Sequence, residues 1–113
     1  MPKPENETER LGQVELLVLL AVLRLSGGGY AVPIRSLIAR EAGVRLARGT
    51  VYVTLDRLEK KQLVESRYSE PIPEPGGKAR RVFRILPLGL RALRSARRAI
   101  DRLAEGTVLE GGA

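Results

Sequence analysis

Four stretches of the chain carry helical patterning and two carry strand patterning. From Leu16 to Leu25 only Arg24 is charged, so a helix over about 10–25 is apolar nearly all round and must be covered on more than one side. The run Ser26-Gly27-Gly28-Gly29 ends it. Tyr30 opens a second helix, about Ala31 to Glu41, with Pro33 tolerated in its first turn, Ile34, Leu37 and Ile38 as its inward stripe, and Gly43 as its stop. Val51, Leu55, Leu58 and Gln62 recur at helical spacing and predict a third helix from Arg48 to Gln62. Leu63–Tyr68 and Arg81–Leu86 alternate β-branched and aromatic residues with polar ones and read as strands. A last helix spans about Pro87 to Glu105. Its apolar positions Leu86, Leu90, Leu93, Ala96, Ile100 and Leu103 stand close to a coiled-coil seam.

The third helix organises this pattern. Turning its wheel by about 100° per residue puts Gly49, Thr50, Val53, Arg57 and Lys60 opposite the inward stripe, with Tyr52 and Asp56 at one edge. Small and hydroxyl side chains sit near its start and cations further along. A helix that enters the major groove needs this arrangement, because its narrow end approaches the base edges. A solvated helix face has the same look. Two short helices joined by a tight turn form a helix-turn-helix, and a hairpin directly after them is a wing. Its loop is Pro-rich in the first half and carries Gly76 and Gly77, then Lys78, Arg80 and Arg81. Such a tip suits a phosphate backbone or the adjacent minor groove, although a solvated loop bears similar charges. The expected fold is mainly α with a β-hairpin wing. Residues 1–9 form a flexible arm, 10–86 the winged helix-turn-helix, 87–105 a dimerisation helix and 106–113 a tail.

Charge reinforces the picture by where it lies. The 113 residues carry a net charge of +7, which favours an anionic partner. From Lys78 to Ala104 there are nine cations and one carboxylate, so the excess lies in the last third. Histidine and cysteine are both absent, which excludes disulfides, thiolate or imidazole zinc ligands and a His-dependent triad. The apolar run Leu16–Leu23 is far shorter than the roughly 20 residues that span a bilayer. A soluble cytoplasmic protein without membrane contact, metal or cofactor is expected.

Residues and spacings, as well as element order, resemble the PadR family of bacterial winged-helix transcriptional regulators. Gly49-Thr50-Val51-Tyr52, Leu55, Arg57-Leu58-Glu59 and Leu63-Val64-Glu65 are similar to the family's Gly-Thr-Leu-Tyr, Leu-x-Arg-Leu-Glu and Leu-Ile-Glu stretch. Leu11-Gly12, Gly29-Tyr30, and Arg80 to Ile85 with Pro87 and Gly89 look like its remaining signposts. The resemblance covers about residues 10–105 and implies a homodimer, docked through the first and last helices, on a pseudo-palindromic operator that it usually represses. The length is that of the smaller members, with a single C-terminal helix. Three departures stand out. Ala47-Arg48 replaces the usual Ser-Pro, so a side-chain N-cap is missing, at a typical cost of about 1 kcal/mol. Leu86 stands where a Thr often caps the last helix. The wing loop is long and Pro-rich.

Role assignments follow. Thr50, Val53 and Arg57 face base edges, with Arg57 suited to a bidentate guanine contact. Arg48, Tyr52, Lys60, Lys61, Lys78, Arg80 and Arg81 face phosphates. Against these, Tyr52 would simply cover the hairpin, and Arg57 would pair with Glu59 or Glu65. Leu16, Leu20, Leu90, Leu93, Ala96, Ile100 and Leu103 form the interface with a second copy. Some family members bind aromatic ligands between the dimer's helices. This chain has no Trp, and Tyr30, Tyr52, Tyr68 and Phe83 lie in or near the DNA-binding half, so nothing supports a small-molecule effector. The competing class is an architectural or protein-interaction winged helix with nonspecific nucleic-acid binding. Catalysis has little to stand on, because the carboxylates are mostly interleaved with cations and no Gly-rich phosphate loop follows a strand.

Overall fold

Gly12 delays the first helix beyond the start that the pattern suggests. Glu15 reaches back to accept the Gly12 amide hydrogen (3.0 Å), and α1 runs Gln13–Arg24. The structure is a computed structural model that describes residues 10–70 and 79–110. The expected arm at 1–9, the loop at 71–78 with Lys78, and the end of the tail at 111–113 lie outside the described residues. After α1 come α2 (Ala31–Ala42), α3 (Arg48–Lys60), β1 (Val64–Tyr68), β2 (Arg81–Ile85) and α4 (Pro87–Ala104). The four helices and antiparallel hairpin make the expected winged helix-turn-helix.

Val18, Leu19 and Val22 of α1, Ile34 of α2, Val51, Leu55 and Leu58 of α3, Leu63, Val64 and Phe83 meet in one core. β1 and β2 pair with Ser66 opposite Phe83, which turns Phe83 inward and leaves Glu65, Arg67, Val82 and Arg84 on the other face. Gly29 bridges the free edge of β2, its carbonyl accepting from the Phe83 amide (2.7 Å). The wing is thus tied to the turn that separates α1 from α2. At its open end, Ser69 and Arg80 close the strands, the Ser69 amide donating to the Arg80 carbonyl (2.7 Å).

The end of α3 corrects one expectation. Gln62 was placed on the inward stripe, but it is exposed, with φ +63°. The Leu63 amide donates to the Leu58 carbonyl (2.9 Å) and the Gln62 amide to the Glu59 carbonyl (2.9 Å). This is a Schellman stop, whose left-handed position throws its side chain outward. At the equivalent place after α2 the chain uses Gly43 (φ +69°). We expect Gln62→Gly to stabilise the protein by about 0.5–1 kcal/mol, because it removes a side chain from a region that L residues avoid. Chemical denaturation would show this as a higher midpoint at unchanged slope.

α4 starts at Pro87 without a side-chain cap and packs by Gly89, Ala92 and Leu93, which are buried. Gly89 rests against the Leu63 carbonyl, between α3 and β1. Farther along, the apolar seam loses its cover: Ile100 is 56% and Leu103 83% exposed. Past α4, Thr107 hydrogen-bonds back to the Ala104 carbonyl through its amide (3.0 Å), so residues 106–110 form a turn. No helix among the described residues is long and apolar enough to cross a membrane.

Candidate nucleic-acid interface

α3 is held by its inward stripe and presents a continuous outer face. Gly49, Thr50, Val53, Arg57 and Lys60 are all exposed, and so is Tyr52 at the edge. Thr54 is buried, and its hydroxyl donates to the Thr50 carbonyl (2.7 Å). Sequence pattern did not single out Thr54; it fills an inward position between Val51 and Leu58. At the start of the helix Ala47 offers no side-chain cap. The amides of the first turn therefore lack an internal acceptor, and that end of the helix dipole favours an anion.

The cations of this surface divide into two groups. Arg48, Arg57 and Lys60 make no ion pair with any described residue, and neither Glu59 nor Glu65 engages Arg57. Lys61 and Arg81 are committed to the protein itself. Lys61 donates to Glu15 Oε2 (2.7 Å) and to the Arg10 carbonyl (3.3 Å), which ties the end of α3 to the start of α1. Arg81 donates to Asp56 Oδ1 (3.0 Å), to Glu59, and through Nε to Ser66 Oγ (3.1 Å). The Ser66 hydroxyl (2.7 Å) and amide (3.0 Å) both donate to Glu59 Oε2. These bonds brace the wing against the flank of α3. Both residues were assigned to phosphates, and the structure uses their charge to set the angle between elements. Arg80 stacks over the ring of Tyr30, the residue that precedes α2, its guanidinium carbon 4.6 Å from the centroid. Among the described residues no three acidic side chains converge on a metal position.

The two braces leave a trace in acidity. Burial pushes the Glu15 carboxyl up, but Lys61, the Gly12 amide and Arg57 outweigh it and hold the group below its ordinary value of 4.5. For Glu59 the Ser66 hydroxyl lowers the pKa most, burial opposes it, and Arg81 adds to the lowering. Both carboxylates therefore contribute stability that is fully present above pH 4.5 and is lost as pH falls through their folded values. We expect the thermal midpoint to fall on acidification below that point, and to fall less steeply in Glu59→Gln. Equal slopes in parent and variant would show that the Glu59 brace is not proton-linked.

Sequence reasoning missed two arginines. Arg35 on α2 and Arg45 in the α2–α3 link are exposed beside the start of α3, and the Arg35 Nε donates to the Leu46 carbonyl (2.6 Å). Charge counting drew attention to the last third of the chain, whereas these two acquire a shared location only when α2 and α3 cross. The interface residues expected for a second copy fall into two sets. Leu93 is buried and Leu16, Leu90 and Ala96 are partly covered, whereas Leu20, Ile100 and Leu103 stand in the open.

Comparison with known proteins bears on this surface. Residues 19–95 match the transcriptional regulator PadR-like family. The transcriptional regulator Rv3488 of Mycobacterium tuberculosis is 44% identical over 62 residues, which are 55% of this chain and 54% of that protein. The matched stretch thus spans about half the length of that relative. A PadR family transcriptional regulator from Eggerthella lenta superposes with a TM-score of 0.65 at 28% identity, covering 80% of this chain and 76% of the other. The structure of Bacillus subtilis PadR in complex with operator DNA superposes with a TM-score of 0.62 at 14% identity, covering 73% of this chain and 45% of the other.

Proposed function

Because the chain belongs to the PadR-like family of transcriptional regulators, we propose that it binds a pseudo-palindromic DNA operator as a homodimer and represses transcription from it. The observation that carries this reading is the outer face of α3. Thr50, Val53, Arg57 and Lys60 lie on one exposed side, and the two cations among them make no ion pair with a described residue. Intramolecular bonds meanwhile set the wing beside them. α3 enters the major groove, Thr50, Val53 and Arg57 meet base edges, and Arg48, Tyr52 and Lys60 meet phosphates. Arg80 carries the wing's charge toward the backbone. That Bacillus subtilis PadR has been captured on operator DNA supports the choice of partner.

Dimerisation is supported by the surface between α1 and α4. Leu16, Leu20 and Leu23 of α1 face Leu90, Leu93 and Ile100 of α4 across a cleft of about 370 Å3, which Arg94 and Arg97 also line. An apolar patch of this kind is better covered by a second copy than by water. Residues 10–86 then act as the reading unit and 87–105 as the joining helix.

Selection of bound duplexes from a random library at near-physiological salt tests the proposal. An inverted repeat with half-sites about one helical turn apart is the expected result. Enrichment of no motif, with binding that collapses as salt rises, would instead fit an architectural winged helix. On the selected operator, Arg57→Ala is expected to relax preference at one base pair per half-site by about 1–3 kcal/mol, leaving the others unchanged. Competition with single-base operator variants reads this directly.

A further inference from the structure

We propose that the cleft between α2 and α3 is a phosphate site, and that on DNA it holds one backbone phosphate per half-site between Arg35, Arg45 and Arg48. The proposal deepens the DNA reading above and rests on it for the identity of the phosphate's carrier.

The cleft measures about 440 Å3, and its polar lining consists of Arg35, Ser36, Arg45 and Arg48 over an apolar floor that includes Leu46 and Val51. No carboxylate lines it. None of the three arginines forms an ion pair with a described residue, whereas Arg24, Arg81 and Arg84 each find a carboxylate. Three like charges gathered on one concave surface repel each other, and an anion seated among them reverses that sign.

Arg35 has the stiffest hold. Its Nε donates to the Leu46 carbonyl, which fixes the plane of the guanidinium and leaves both terminal nitrogens to offer a two-pronged contact. The apolar floor on one side of the cations weakens the screening that water would otherwise provide. A tetrahedral oxyanion with several acceptor oxygens suits this donor set; a planar apolar ligand would leave the guanidinium groups unpaired.

The position gives the site a task. Arg48 is the first residue of α3, directly before Gly49 and Thr50 on the outer face. A phosphate clamped between α2 and this first turn therefore sets how deep α3 sits and which base pair Thr50 meets. Arg35 and Arg45 are positioning residues in this scheme, and they read no base.

A scan of single methylphosphonate substitutions on the selected operator tests it, with the full-length protein as parent. The parent should lose about tenfold to a hundredfold in affinity when one particular phosphate in each half-site is neutralised. In Arg45→Gln/Arg48→Gln that sensitivity should shrink to the small part Arg35 alone supplies, and the salt dependence of log K should flatten by about two units of slope. Arg35→Lys, which keeps the charge and loses the fork, should reduce the sensitivity without abolishing it. The double variant is the deciding one, because the side chains of Arg45 and Arg48 make no hydrogen bond to another described residue. A double variant with the parent's scan and slope would overturn the backbone-phosphate assignment.

A second arm separates this inference from the DNA reading. Inorganic phosphate and pyrophosphate are titrated into the free protein while the arginine Nε–H resonances are followed. Saturable shifts that weaken strongly in the double variant, from a parent that binds no duplex, would keep the phosphate site and reject the DNA reading. A specific duplex bound with no sensitive phosphate, together with no saturable shift, would reject the site and keep the DNA reading.

Discussion

Gly89→Ala is expected to lower stability by about 3 kcal/mol, a fall in thermal midpoint on the order of 15 °C for a domain of this size. A Cβ on Gly89 would stand 2.2 Å from the Leu63 carbonyl oxygen and 2.8 Å from Ile85 Cγ1. A flexible side chain in the way could swing aside, but here the obstacle is backbone. The Leu63 carbonyl also accepts the Leu86 amide hydrogen (2.9 Å), so it cannot rotate away without breaking the bond that ties the β2–α4 junction to the residue before β1. Relief requires α4 to lift off the core, which uncovers Ala92 and Leu93. Ser95→Ala, on the exposed side of the same helix, serves as the control and should leave the midpoint within the error of the measurement. If the Gly89 variant melts with the parent, the close approach of α4 to Leu63 is not what holds the last helix.

Gly89 also marks where sequence reading stops. Its place in the chain matched a family pattern, but no periodicity says that a helix must touch a carbonyl twenty-six residues earlier. Element positions were legible because they depend on neighbours three or four residues away. The inward stripe Val51, Leu55 and Leu58 and the alternation about Phe83 are local signals, and both are buried as the pattern requires. The outer face of α3 was legible for the same reason. Long-range pairing was not. Lys61 and Lys60 look alike in sequence, yet Lys61 spans to Glu15, forty-six residues away, and Lys60 makes no ion pair with a described residue. Arg81 sits among cations that suggest phosphate, and its Asp56 and Glu59 partners come within reach only because β2 folds beside α3. Arg35 joins Arg45 and Arg48 by a helix crossing that no charge count reports. Gln62 defeats the helical wheel because the helix ends two residues before it, at Lys60.

Leu20→Glu combined with Ile100→Glu is expected to produce a monomer and to cost operator affinity about a hundredfold to ten-thousandfold. Leu20 is 50% and Ile100 56% exposed in the single chain, so a carboxylate at either place meets water there and leaves the core untouched. In a dimer closed through α1 and α4 the same carboxylates would lose their water opposite their symmetry copies, and Arg94 and Arg97, which line the same cleft, would offset only part of that cost. Repulsion and desolvation then act only on the associated state. The DNA effect follows from geometry and not from any lost base contact: once two reading units are joined, the second half-site is met at an effective concentration in the millimolar range. Separating the units removes that advantage while α3 keeps its face. Light scattering should report one chain in place of two, and half-site duplexes should bind the variant as well as they bind the parent. Circular dichroism on the same samples checks that the monomer remains folded. A variant that stays dimeric by light scattering would reject α1 and α4 as the interface, whatever its affinity for DNA. A monomeric variant that still binds the full operator like the parent would show that the two half-sites are read independently.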